Sequence, residues 1–229
     1  MTVIPRAAKN LWLHRLGTTI LIALLLAGCR TTRPAGEQPI APITAGAAQE
    51  LAQRRDRFEG ERSIVRIRSM NGAQTQSARA QLQVGRAGDM LITVYAPVVN
   101  TSAVRLYAAN GQVVFLNDID RTAWQGPASQ FTGSFGFIGA NPSALAMLIL
   151  GLPPREATSV EYAQSGLQSA RLQDVVIAYD PPVYPPQRVV IVRGMQRVEI
   201  DHLEDYASPA PIAPLTVPAD YRCCELPKI

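Results

Sequence analysis

From Ser63 onward the chain alternates between apolar and polar positions. Ser63 to Met70, Ala78 to Val84, Met90 to Ala96, Ala103 to Ala108 and Gln112 to Asn117 each show alternation or a β-branched bias. Turn residues separate them: Asn71-Gly72, Gly85 through Asp89, Pro97 through Thr101, and Asn110-Gly111. This predicts an antiparallel meander, with Asn110-Gly111 as a tight hairpin, because both residues tolerate the positive φ of a type I′ turn. The pattern changes at Gly126. Asn141-Pro142-Ser143 then opens an almost wholly apolar helix, with Asn141 as cap and Pro142 at the first position, running to about Leu150 and stopped by Gly151 and Pro153. Strand character returns at Val160 to Ala163, Ala170 to Tyr179, Arg188 to Val192 and Arg197 to His202. Ahead of all these, Ala47 to Phe58 predicts a short lead-in helix ended by Gly60.

At 229 residues, 47% hydrophobic and 17% charged, the chain is one ordinary globular domain with appendages. Its 22 basic and 18 acidic residues become 19 against 18 once Arg6, Lys9 and Arg15 are set aside, since these precede the first long apolar run. A nearly neutral remainder with scattered arginines excludes a nucleic-acid partner.

Those three basic residues lead into an apolar core, Ile20 to Leu26, and then Leu26-Ala27-Gly28-Cys29. Residues 1-28 read as a secretory signal too short in its apolar part to span a bilayer. The tetrapeptide resembles a bacterial lipobox, which makes Cys29 the lipidated first residue of a membrane-anchored protein. Residue 30 is Arg rather than the Asp that resembles an inner-membrane retention signal, so the expected place is the outer membrane, facing the periplasm. Residues 29-47, with Pro34, Pro39 and Pro42, read as a flexible tether; 48-206 as the folded domain; 207-229 as a Pro-rich C-terminal tail.

Eight or nine strands and only two or three short helical pieces leave one face of the sheet thinly covered. A curved sheet with an apolar concave face and an apolar plug can hold acyl chains; a filled core is the alternative. The run MLITVYAPVVNTSAVRLYAANGQVVFLND, followed by LILGLPP, resembles the LolB-like family of outer-membrane lipoprotein receptors over about residues 61 to 205, most specifically at Ala96-Pro97-Val98-Val99 and Leu150-Gly151-Leu152-Pro153. The resemblance implies a mainly β, α+β fold: an incomplete antiparallel β-barrel with a helical lid, of the LolA/LolB lipoprotein-sorting type. It also implies a receptor that takes lipoproteins from a periplasmic carrier and inserts them into the outer membrane, with Pro97, Val98 and Val99 as the membrane-insertion loop. Strand alternation and the apolar lid nominate Ile67, Leu82, Ile92, Val94, Leu106, Val114, Leu116, Trp124, Phe131, Phe135, Leu145 and Leu148 as cavity lining.

Catalytic signals are absent from the sequence. There is no Gly-x-Ser-x-Gly, and beyond His14 in the signal only His202 could act as a base, so no enzyme activity is expected. Glu199, Asp201, His202, Glu204 and Asp205 form an acid-rich cluster with one imidazole and no thiol at ligand spacing, which reads as a solvated strand edge rather than a metal site. Asp118-Ile119-Asp120 reads as a turn, and Gly133, Gly136 and Gly139 as lid flexibility without a phosphate-binding lysine. No cofactor is implied. Cys223-Cys224 flags redox or oligomer chemistry in an oxidising compartment. The rival reading is an assembly lipoprotein of the cell envelope with a filled core, which binds protein partners through a sheet edge or the tail.

Overall fold

Alternating segments too short to bury a face alone must pair, and two successive meanders do so here. The computed structural model describes residues 37–71, 74–96, 101–131 and 141–223, all within one compact unit, Gly36–Ile229. The first meander comprises β2 (Gly60–Asn71), β3 (Gln74–Gly85), β4 (Met90–Tyr95), β5 (Ser102–Ala109), β6 (Gln112–Asn117) and β7 (Thr122–Pro127). The second comprises β8 (Ser159–Tyr162), β9 (Leu167–Leu172), β10 (Val175–Tyr179), β11 (Arg188–Arg193) and β12 (Gln196–Ala207). β12 pairs antiparallel with β2 and joins the two into one sheet. Short β1 (Gln38–Pro39) adds to β12, and β13 (Arg222–Cys223) adds to β7 in parallel. The order runs from β13 and β7 at one edge to β8 at the other, so the sheet is an incomplete barrel.

Two helices complete it: α1 (Ala47–Asp56) and α2 (Pro142–Ile149). α2 begins where Asn141 Oδ1 accepts the Ala144 N–H at 3.1 Å, with Pro142 in the first turn. It touches β4 and β5 of the first meander and β9 of the second, so it bridges the opening. Leu145, Leu148 and Leu150 are wholly buried, and Ile149 nearly so, in one core with Val65, Leu82, Ile92, Leu106, Phe115, Ile177 and Ile191 of the concave face. The concave face is therefore filled by α2. At the end of α2 the Leu148 carbonyl accepts from Tyr179 Oη at 2.7 Å as well as from the Gly151 N–H at 2.9 Å, so the phenol ties β10 to the helix end inside the core.

The strand prediction needs three corrections. Ala170 to Tyr179 is two strands, divided at Gln173, which adopts φ 55°. β7 escaped notice because TAWQGP has a Gly and a Pro and little alternation. The tail from 208 is largely without regular structure, yet it is part of the fold. Leu215, Val217 and Tyr221 pack on Val114, Leu116 and Ala123, on the convex face. Tyr221 Oη donates to Asp118 Oδ1 at 2.6 Å, and Arg105 grips the same carboxylate through two hydrogen bonds of 2.9 and 2.7 Å. Burial opposes ionisation of Asp118, but the hydrogen bonds from Arg105, Ser102 and Tyr221 outweigh it and hold its carboxyl below the usual range. Asp118 is thus the knot that ties the tail down as well as a turn residue.

Candidate functional site

Strand direction sorts the connections into two rims. The β3–β4 and β5–β6 turns, the β10–β11 connection, α1 and the end of β12 share one rim; the β6–β7, β9–β10 and β11–β12 turns share the other. α2 lies at the first rim. Ser143 packs on Gly88 of the β3–β4 turn, and Gly151, at φ 75°, lies close against Tyr184 and Pro186 of the β10–β11 connection. A Cβ at Gly151 would come within 3.1 Å of Pro186 Cδ, so glycine there serves both the left-handed backbone and the close approach.

The nominated lining residues divide by strand register. Ile67, Leu82, Ile92, Leu106, Trp124, Phe131, Leu145 and Leu148 lie in the concave core, and Val94 packs against it. Val114 and Leu116 do not: they face the convex side under the tail, and the inward positions of β6 are Val113 and Phe115. β6 is buried on both faces, so its VVFL run carries no alternation from which to read the inward side. Phe135, the Pro97, Val98, Val99 loop, Cys29, Cys224 and the three lid glycines lie outside the described residues. Cys223 is exposed on β13.

The acid-rich cluster is split between faces. Glu199 and Asp201 face outward in ion pairs with Arg68, Arg188 and Arg197. His202 and Asp205 share the inner face, because a bulge between His202 and Glu204 shifts the register by one and leaves Leu203 exposed. Across from them on β2, Val65 pairs with His202, Ser63 with Asp205, and Glu61 with Ala207. His202 Nδ1 lies 2.7 Å from Asp205 Oδ1, and the imidazole is 1% exposed. No group of three or more potential ligands able to hold a metal occurs among the described residues.

Sequence reasoning missed Glu61, although its parity with Ser63, Val65 and Ile67 placed it inward. It is 3% exposed, and Ser63 Oγ donates to its Oε1 at 3.3 Å. Burial raises its carboxyl well above the ordinary range and the Asp205 charge adds to the rise, while Ser63 and Arg54 oppose it. Two cavities adjoin this polar group and share Tyr184. One of about 460 Å³ is lined by Ile40, Arg54, Phe58, Glu61 and Leu152; the other, about 520 Å³, by Ile43, Val183, Pro186, His202 and Asp205. Burial also pushes the Tyr184 phenol up.

A group held protonated in the folded state and released in the unfolded state makes stability fall as pH rises from the unfolded pKa to the folded one. Wild-type protein is expected to lose stability from about pH 4.5 upward, by about 1.4 kcal/mol for each unit of elevation. Glu61→Gln should remove that slope, and urea midpoints at about pH 5 and pH 8 measure it. Parallel slopes in both proteins would contradict a protonated Glu61.

No family model matches the chain, and neither does any curated protein. Solved structures resemble it distantly, at low identity. A LolA superfamily protein from Nitrosomonas europaea is 9% identical, with a TM-score of 0.40, over 73% of this chain and 96% of its own. A domain described as an outer-membrane lipoprotein-sorting protein from Vibrio parahaemolyticus is 9% identical, with a TM-score of 0.44, over 71% and 93%. A conserved protein from Thermus thermophilus is 12% identical, with a TM-score of 0.40, over 77% and 98%.

Proposed function

We propose that this is a lipid-anchored envelope protein that binds the acyl chains of lipoproteins by exchanging α2 for them and helps localise lipoproteins to the outer membrane. The observation that carries the reading is α2 itself: an eight-residue helix, apolar almost all round, across the mouth of an unclosed barrel. A helix that short has little stability of its own and is held by its packing. The magnitudes permit exchange. Withdrawing Leu145, Leu148 and Ile149 forfeits about 1.5–3 kcal/mol each, while a palmitoyl chain of about 14 methylenes gains about 0.8 kcal/mol for each one buried. One chain offsets the plug, and two or three outweigh it.

In this reading the lipid is carried on Cys29 of Leu-Ala-Gly-Cys and the protein faces the periplasm from the outer membrane, which Arg30 after the cysteine supports, with the Pro97, Val98, Val99 loop as the bilayer-facing tip and a periplasmic carrier as donor. Among the described residues no helix is long and apolar enough to cross a membrane.

The test is native mass spectrometry of a form beginning at Arg30, which retains the whole unit Gly36–Ile229. Challenged with a diacylated peptide, it should carry one peptide per chain, and a cross-linker on Leu145 should lose its β-sheet partners on binding. A folded protein that ignores the peptide would overturn the reading in favour of a permanently filled core.

A further inference from the structure

The chamber lined by His202 and Asp205 has a chemistry of its own. We propose that it is a binding site for a primary ammonium group, the polar head of an acylated ligand whose chain takes the place of α2. The proposal deepens the acyl-chain reading and rests on it.

Four observations support it. His202 lies on the wall of the 520 Å³ cavity with its imidazole 1% exposed, and its Nε2 is buried with no hydrogen-bond partner among the described residues. A carboxylate can only accept, so Nδ1 carries the proton toward Asp205, and in the neutral ring Nε2 presents a lone pair. What it lacks is a donor. The local charge, secondly, favours a cation: the Asp205 carboxylate lies beside the imidazole, and the buried Glu61, held protonated, brings no positive charge to the site. Arg54, the cation on this side, is already committed to Glu50, to the Ala41 carbonyl and to the Tyr184 ring face. An anion would meet Asp205, and a hydroxyl could donate to Nε2 but would leave the negative field unanswered; a compact ammonium does both.

Thirdly, the chamber adjoins the plug. Tyr184 and Pro186, which form part of its wall, are the residues against which Gly151 at the end of α2 rests. A chain lying where α2 lies would bring its head to this cavity. Finally, the roof is built from the segment that leads in from the N-terminus: Pro42, Ile43 and Thr44, held by the Ile43 N–H to the Tyr184 carbonyl at 3.1 Å.

The test uses the full chain in nanodiscs of phosphatidylcholine, whose headgroup lacks a primary amine, labelled with ¹⁵N-histidine. The chain has two histidines, and the His202 signal is the one lost in His202→Gln. At about pH 8, where an ordinary imidazole is neutral, ethylammonium should move the His202 Nε2 resonance to saturation and ethanol should not. Asp205→Asn, checked for folding, should weaken the effect at least about tenfold. Glycerophosphoethanolamine against an acetylated lysine amide tells a lipid head from a peptide amine.

A His202 resonance unmoved by ethylammonium overturns the proposal on the wild-type protein alone. Dodecylammonium should bind at least about tenfold tighter than dodecanol. Equal affinity of the two sinks the ammonium site while leaving the acyl-chain reading standing. A response to ethylammonium with no binding of either long-chain compound leaves the site and removes the acyl-chain reading.

Discussion

Leu148→Ala is expected to weaken the fold and strengthen ligand binding at the same time. Leu148 is fully buried, with its neighbours drawn from both meanders, and truncating such a leucine costs about 2–5 kcal/mol through lost contacts and the cavity left behind. With a denaturant slope of about 2 kcal/mol/M for a chain of this size, the urea midpoint should fall by about 1–2.5 M. If the acyl chain replaces α2, that contribution is already absent from the complex. The mutation then raises the free state alone, and about 2 kcal/mol of that difference appears as a roughly thirtyfold gain in affinity for the diacylated peptide. An affinity that falls or stays level would mean α2 keeps its place in the complex, and the exchange mechanism would have to be abandoned. A surface change of similar size, such as Met195→Ala on the 93% exposed hairpin tip, should alter neither quantity.

Removing the tail after Ala213 should turn the protein into a self-associating species. Val114, Leu116 and Ala123 are buried on the convex face by Leu215, Val217 and Tyr221. The same truncation strips β13 from the β7 edge and Tyr221 from Asp118. An uncovered apolar strip beside an open strand edge invites pairing between chains. Stability should drop by about 2 kcal/mol, the size of uncovering one leucine net of the chain entropy returned. Light scattering should show an increased mass that Val114→Thr with Leu116→Thr reverses. A truncated chain with unchanged mass and midpoint would make the tail a passive appendage. The result bears on the rival assembly reading: loss of function on deleting the tail does not by itself show that the tail binds partners, because the tail is also part of this chain's own core.

Local order in the chain was legible wherever a single face of an element met the core. β2, β3, β4 and β5 alternate because one side packs into the core that α2 shares and the other meets solvent or ion pairs, and Asn141-Pro142 marks the start of α2 because a cap is a property of neighbouring residues. β6 defeated the reading, since burial on both sides erases the alternation that encodes direction. Its outward residues Val114 and Leu116 were legible as apolar but not as lying beneath the tail, which reaches them from about a hundred positions away in sequence.

The polar end of the barrel was fixed still later. In a regular strand, positions three apart face opposite ways, so His202 and Asp205 read as unrelated members of an exposed acidic run. Pairing with β2 forces one extra residue into β12, and that bulge turns both side chains inward, opposite Val65 and Ser63 and on the same face as Glu61. The sequence by itself determined most of the strands and the capped apolar helix, because each depends on residues close together along the chain. Only the tertiary structure decided that α2 fills the concave face, that the tail closes the convex one, and that an imidazole and two carboxyls meet at one rim. Each of these depends on register between strands far apart in sequence, and a shift of one residue would have moved every side chain concerned to the other face.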